Sequence, residues 1–98
     1  MLKDLEYQFQ EGETLREDIR IIGKSTCEHF QSALALLRIH KVGYYYLYID
    51  TLPETAQKEI IGELRARYTG DLMCPFVIFN NNEFISGFQR DIWEARLF

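Results

Sequence analysis

A cysteine where a helix should begin, with a lysine three positions before it, is the arrangement in this chain best suited to sulfur chemistry. The stretch Ile19-Arg-Ile-Ile-Gly-Lys-Ser-Thr-Cys-Glu-His-Phe30 runs from an apolar, β-branched segment through Gly23 to that cysteine, Cys27. The positive pole of a helix and the cation of Lys24 both favour the thiolate, the reactive form of the side chain. Glu28, one residue on, opposes them by like-charge repulsion. Cys27 is therefore the candidate nucleophile and Lys24 its electrostatic support. Attack on a disulfide would leave a mixed disulfide for a second thiol to release. The plainer reading is that Cys27 fills a half-buried slot, as free cysteines commonly do.

The remaining chemistry-bearing residues are few. Cys74 is the only other cysteine, 47 positions on, a spacing unlike that of any zinc knuckle or finger. In a reducing compartment such a pair reads as buried or reactive thiols rather than a structural staple. His29 falls in the first turn of the expected helix, where the macrodipole disfavours an imidazolium. It reads as a surface residue first and as a proton carrier or ligand second. His40 sits at the other end of that helix, with no catalytic task indicated.

The elements that must hold these residues follow from periodicity and punctuation. Leu5, Tyr7 and Phe9 alternate with Glu6, Gln8 and Gln10, which predicts a short half-buried strand. It can add an edge to the sheet within the chain or across a dimer. Residues 13–18 read as a polar loop or a helical turn leading into a strand at Ile19–Ile22. Ser25 and Glu28 have capping-box spacing, predicting a helix from about Thr26 to about His40 with Ser25 as its N-cap. Phe30, Ala33, Leu34 and Leu37 would be buried, and Gly43 would end the helix. Tyr44 to Ile49 is nearly all aromatic and aliphatic, as in a strand covered on both faces; core filling explains its tyrosines more simply than a binding surface does.

Thr51-Leu52-Pro53-Glu54 reads as a second capping box, opening a helix to about Tyr68. Its inner side would carry Ala56, Ile60, Ile61, Leu64 and Tyr68, with Gly70 as its stop. Pro75 opens the strand Phe76–Phe79, Asn80-Asn81-Asn82 signals a turn, and Glu83–Ser86 is the hairpin partner. Arg90 to Phe98 closes the chain as a helix with Ile92, Trp93 and Leu97 inward. The order β-α-β-α-β-β-α, with an extra N-terminal strand, predicts a thioredoxin-like α/β fold. Its mixed sheet joins a right-handed parallel crossover to a late antiparallel hairpin.

Order and motifs together resemble a glutaredoxin over about residues 19 to 98. Lys24-Ser25-Thr26-Cys27 resembles the approach to that family's active-site cysteine. Met73-Cys74-Pro75 falls where the family has Thr-Val-Pro with a cis proline facing the thiol. Asp50 before a helix, and Phe79-Asn80-Asn81 before Phe84-Ile85-Ser86-Gly87, are in step with the family. The resemblance implies that Lys24, Cys74, Pro75, Gly87 and Phe88 line a site for glutathione or another low-molecular-weight thiol. It implies protein disulfides or glutathionylated proteins as partners. The absence of a second nearby thiol implies a monothiol route, since Cys27-Glu28-His29-Phe30 stands where Cys-Pro-Tyr-Cys or Cys-Gly-Phe-Ser is usual.

The family's Gly-Gly-x-Asp-Asp segment reads here as Ser86-Gly87-Phe88-Gln89-Arg90, without either acidic residue. In the implied fold Cys74 becomes a neighbour of Cys27, and three readings of it stand open. It is a resolving thiol, a soft-metal ligand together with Cys27 and His29, or a small apolar substitute for valine. Pro75 is either cis, presenting the Cys74 backbone to an extended substrate, or an ordinary trans proline at a strand start. The alternative to an enzyme is a binding module that kept the scaffold and lost turnover, holding a partner peptide, a metal or an iron-sulfur cluster.

At 98 residues the chain is read as one domain, with 1–18 as an N-terminal extension. An apolar fraction of 47% and an aromatic fraction of 14% fit a packed core. The net charge of -4, with 11 scattered basic residues, argues against nucleic acid or an anionic membrane as partner. No apolar run approaches the ~20 residues of a membrane span. Met1-Leu2-Lys3-Asp4-Leu5-Glu6 lacks the apolar core of a signal peptide, which makes the cytoplasm the expected location. A monomer or a weak dimer is expected.

Overall fold

The computed structural model describes residues 5–13 and 17–97. Five strands form one mixed sheet: β1 (Gln8–Gln10), β2 (Ile19–Gly23), β3 (Tyr44–Tyr48), β4 (Phe76–Phe79) and β5 (Glu83–Ser86). Three α-helices accompany them among the described residues: α1 (Glu28–Ile39), α2 (Glu54–Arg67) and α3 (Arg90–Leu97). The spatial order is β1-β3-β2-β4-β5. Strands β2 and β3 are parallel, with α1 as the crossover, and the other three pairings are antiparallel. This is the thioredoxin-like arrangement expected from the order of elements.

Side-chain alternation sorts the core onto the two faces of the sheet. Ile19 and Ile21 of β2, with Val77 and Phe79 of β4, meet Phe30, Leu34 and Leu37 of α1 and Trp93 of α3. Ile22, Leu47, Phe76 and Ile78 turn the other way, onto Ile60 and Leu64 of α2. The tyrosine run divides likewise: Tyr44, Tyr46 and Tyr48 pack on the first cluster. Tyr45 lies on the second face, where the Arg20 guanidinium stacks 4.6 Å from its ring and 5.0 Å from that of Tyr7. Strand β1 pairs with β3 of the same chain, in the register Phe9 opposite Tyr45. The N-terminal strand thus extends the sheet from within.

Several element ends differ from expectation. Helix α1 begins at Glu28 with Cys27, not Ser25, at the N-cap, and no side chain caps it. Ser25 is drawn away by Asp50. At the other end Lys41, at φ 59°, takes the left-handed position expected of Gly43. The Val42 amide donates to Leu37 O at 3.0 Å and the Lys41 amide to Arg38 O at 3.1 Å, the two bonds of a Schellman stop. Gly43 lies two residues too late for that geometry.

The second capping box also fails, because Ile49–Thr51 forms a 3₁₀ turn and the Thr51 hydroxyl donates back to Tyr48 O at 2.7 Å. Pro53, lacking an amide, becomes the N-cap of α2. That helix ends through an extended Tyr68 rather than at Gly70. In α3, Trp93 is fully buried but Ile92 is 46% exposed, since one short helix turns only part of its surface inward. The expected loop or turn at 13–18 falls partly outside the described residues, as does Phe98. Asn80 and Asn81, at φ 53° and 64°, make the β4–β5 connection a type I′ turn. No helix of the described residues is long and apolar enough to cross a membrane.

Candidate active site

Strand β2 ends at Gly23, and the chain must turn at once into α1 beside the loop that enters β4. Gly23 makes the turn possible: a Cβ there would strike the Phe30 ring and come within 2.8 Å of Cys74 Sγ. Only a residue without a side chain leaves room for both. The turn itself is held from a distance. Asp50, in the 3₁₀ turn after β3, accepts from the Ser25 amide at 2.8 Å and from the Ser25 hydroxyl at 2.6 Å. These bonds hold the Asp50 carboxyl below its ordinary range, helped by the charge of Lys24. The Cys27 amide closes the turn onto Lys24 O at 3.1 Å.

The loop 71–75 forms the facing wall. Its Cys74–Pro75 peptide is cis. Ser86 at the end of β5 fastens the loop, accepting from the Met73 amide at 2.7 Å and donating to Asp71 O at 2.6 Å. The Gly87 amide donates to Pro75 O at 2.7 Å, with Gly87 at φ 83°, a conformation suited to glycine. Trp93 Nε1 donates to Gly87 O at 3.1 Å, tying α3 beneath the same segment. Phe88 packs edge-on against Trp93, with ring centroids 5.2 Å apart.

Across this gap the two cysteines meet. Both are free thiols, each half-buried against the first core cluster. Cys27 Sγ lies 3.7 Å from Cys74 O, in position to donate to it. The Lys24 amide lies 3.5 Å from Cys74 Sγ and points its hydrogen at the sulfur. Burial, then the side-chain hydrogen bond with Cys27, push the Cys74 thiol up to about 12, although the Lys24 amide pulls the other way. Cys74 is therefore a protonated thiol at neutral pH. Phe30, at the position of the usual second thiol, is wholly buried against Tyr48, with centroids 5.2 Å apart.

The structure thus brings Lys24, Cys27, Cys74 and Pro75 together, and Gly87 and Phe88 stand behind the proline loop. His29 is exposed on the first turn of α1, and no group of three His, Cys, Asp or Glu residues among those described is arranged to hold a metal ion. Sequence reasoning gave no role in the site to Asp50 as the anchor of Ser25, to Ser86 as the clasp of the proline loop, or to Gly23 as a spacer. Gly23 left a signal as an isolated glycine ending a β-branched run, and Asp50 and Ser86 only as positions in step with the family.

No family model and no curated protein matches the chain. Solved structures do. A glutaredoxin from Methanosarcina mazei Go1 matches with a TM-score of 0.75 at 27% identity, over 94% of this chain and 88% of that one. The methanoredoxin of Methanosarcina acetivorans is 30% identical with a TM-score of 0.71, over 85% and 87% of the two chains. A glutaredoxin from Archaeoglobus fulgidus, 20% identical, shares the fold at a TM-score of 0.69 over 82% and 85%. Fold and similarity together define a thioredoxin-like α/β protein. Within that class, the chain belongs to the glutaredoxin family.

Proposed function

We propose that the protein is a cytoplasmic thiol–disulfide oxidoreductase working through Cys27 by a monothiol route. The observation that carries this reading is a half-exposed thiol at the N-cap of α1, 3.7 Å from the carbonyl that precedes the cis proline. Unsatisfied amides at a helix start favour negative charge on an atom placed there. In the reaction, Cys27 attacks one sulfur of a disulfide, the other sulfur leaves, and a second thiol from outside resolves the mixed disulfide. Lys24 supplies the fixed cation, and the Cys74–Pro75 backbone offers a docking edge for an extended substrate. Protein disulfides and glutathionylated cysteines are the substrates that such an edge suits.

Glutathione or another low-molecular-weight thiol would be the reductant, seated by Lys24, Cys74, Pro75, Gly87 and Phe88. Where the family's acidic pair would hold it, this chain has Gln89 and Arg90, the latter engaged with Glu94 at 2.9 Å. That substitution favours a thiol other than glutathione. It also favours the second reading, a partner-binding module without turnover.

Reduction of a glutathionylated peptide and of a small disulfide decides between them. Wild type is expected to turn over, and Cys27→Ser to lose activity by about 100-fold or more. Equal rates for the two proteins, or no turnover by either with any thiol, would refute the enzyme.

A further inference from the structure

We infer that Cys74 is a resolving thiol, and that reduction of a substrate disulfide ends in a Cys27–Cys74 disulfide within the chain. The inference rests on the oxidoreductase reading and puts Cys74 in place of the external thiol at its resolving step. Its basis is placement. The two residues are 47 apart in sequence, yet Cys27 Sγ lies 3.7 Å from the Cys74 carbonyl oxygen. Gly23 keeps the space beside Cys74 Sγ open, since a Cβ there would approach that sulfur to 2.8 Å. Phe30 fills the slot of the usual second thiol, which leaves Cys74 as the sulfur next to the nucleophile.

The charge environment gives the two thiols an order of action. While Cys27 is a thiolate, its negative charge and its hydrogen bond keep the proton on Cys74. Cys74 then neither competes for substrate nor repels the attacking sulfur. Once Cys27 is capped in a mixed disulfide, burial still holds the proton on Cys74, but both effects of Cys27 vanish, while the Lys24 amide and charge go on favouring a Cys74 anion. The first step thereby lowers the barrier to ionising the second nucleophile.

The steps balance. Cys27 S⁻ attacks the disulfide R–S–S–R′; its S–S bond breaks, and R′S⁻ leaves and is protonated by solvent. Cys74 then gives up its proton and attacks Cys27 Sγ, and the Cys27–S–S–R bond breaks. RS⁻ departs with that proton as RSH. Two electrons have passed from the cysteine pair to the substrate, and an external dithiol, or two molecules of a low-molecular-weight thiol, restores the pair.

Exposure of the reduced protein to oxidised glutathione, acid quenching and intact-mass measurement test this. Wild type is expected to pass through a transient glutathione adduct to a species two hydrogens lighter, with peptide mapping joining positions 27 and 74. Cys74→Val, which keeps the apolar volume, and Cys74→Ser are each expected to stop at the adduct on Cys27. They should release bound glutathione at least about tenfold more slowly than wild type, because an adjacent thiol acts at high effective concentration. A wild-type adduct that persists as long as that of the variants, or a covalent dimer in place of the lighter monomer, would overturn the inference and leave the monothiol enzyme standing. Absence of any adduct at Cys27 in all three proteins would remove the oxidoreductase reading and this one with it.

Discussion

A carboxylate far from Cys27 in sequence governs the turn that carries it. Asp50 takes both hydrogen-bond donors of Ser25, and through them the segment 24–27 is held against the turn that follows β3. Asp50→Asn keeps the shape and weakens both bonds, because charge-assisted hydrogen bonds are the stronger kind. Faster hydrogen exchange at the Ser25 amide and a lower melting temperature at pH 7 are expected. Because the folded pKa of Asp50 is depressed, its contribution is present above the ordinary carboxylate range and lost as pH falls through the lowered value. The gap between wild type and variant should therefore close on acidification, and a pH-independent gap would mean that Asp50 acts by shape alone. The placement of Cys27 at a helix start, three residues after Lys24, was legible in the sequence from residue type and spacing. The Ser25–Asp50 pairing was not, because Ser25 had an equally good local partner in Glu28.

Helix ends show the same competition between local and distant partners. The interior of α1 follows its apolar stripe, with Phe30, Ala33, Leu34 and Leu37 all buried as periodicity demands. Its C-terminus places Lys41 at φ 59°, a conformation that costs an L-residue about 1 kcal/mol and glycine almost nothing. Lys41→Gly is expected to stabilise the fold by about 0.5–1 kcal/mol, read from the urea midpoint at unchanged slope. The exposed Lys41–Glu13 contact at 3.4 Å that it would remove is worth little. A lower midpoint would show that the lysine side chain matters more than its backbone. Strand pairing was easier to foresee than helix capping, since the continuous apolar run Phe76–Phe79 and the Asn80-Asn81-Asn82 turn mark a single hairpin with Glu83–Ser86.

Over the whole molecule, ionisable groups at several places set the pH range of stability. Arg96 in α3 lies 4.4 Å over the Phe79 ring and binds Glu17 at 2.7 Å and Glu83 at 2.7 Å, joining three parts of the chain. Its hydrogen bonds hold both carboxyls below their ordinary range. Together with Asp50 these groups stabilise the fold above the ordinary carboxylate range, and the effect is lost as pH falls through their depressed values. At the alkaline end, burial pushes Tyr7 up to about 12, as burial and Cys27 push Cys74. A raised acid favours the folded state below its unfolded pKa and loses that advantage as pH rises towards the folded value. Denaturant titrations should show a plateau from about pH 5 to about pH 8.5 with decline on both sides. Cys74→Val should soften the alkaline decline; an unchanged decline would assign it to Tyr7 and Tyr44, both raised by burial.

The sequence by itself determined the order of strands and helices, the apolar faces and the one cysteine placed at a helix start. Those properties depend on side-chain periodicity and on near neighbours along the chain. Only the tertiary structure decided that Asp50 rather than Glu28 takes Ser25 and that β1 closes onto its own sheet. It also supplied the 3.7 Å approach of Cys27 to the Cys74 carbonyl, where the family resemblance had implied only that the two are neighbours. Each is a contact between segments tens of residues apart. Such contacts depend on how the crossover and the proline loop converge, which no local spacing encodes.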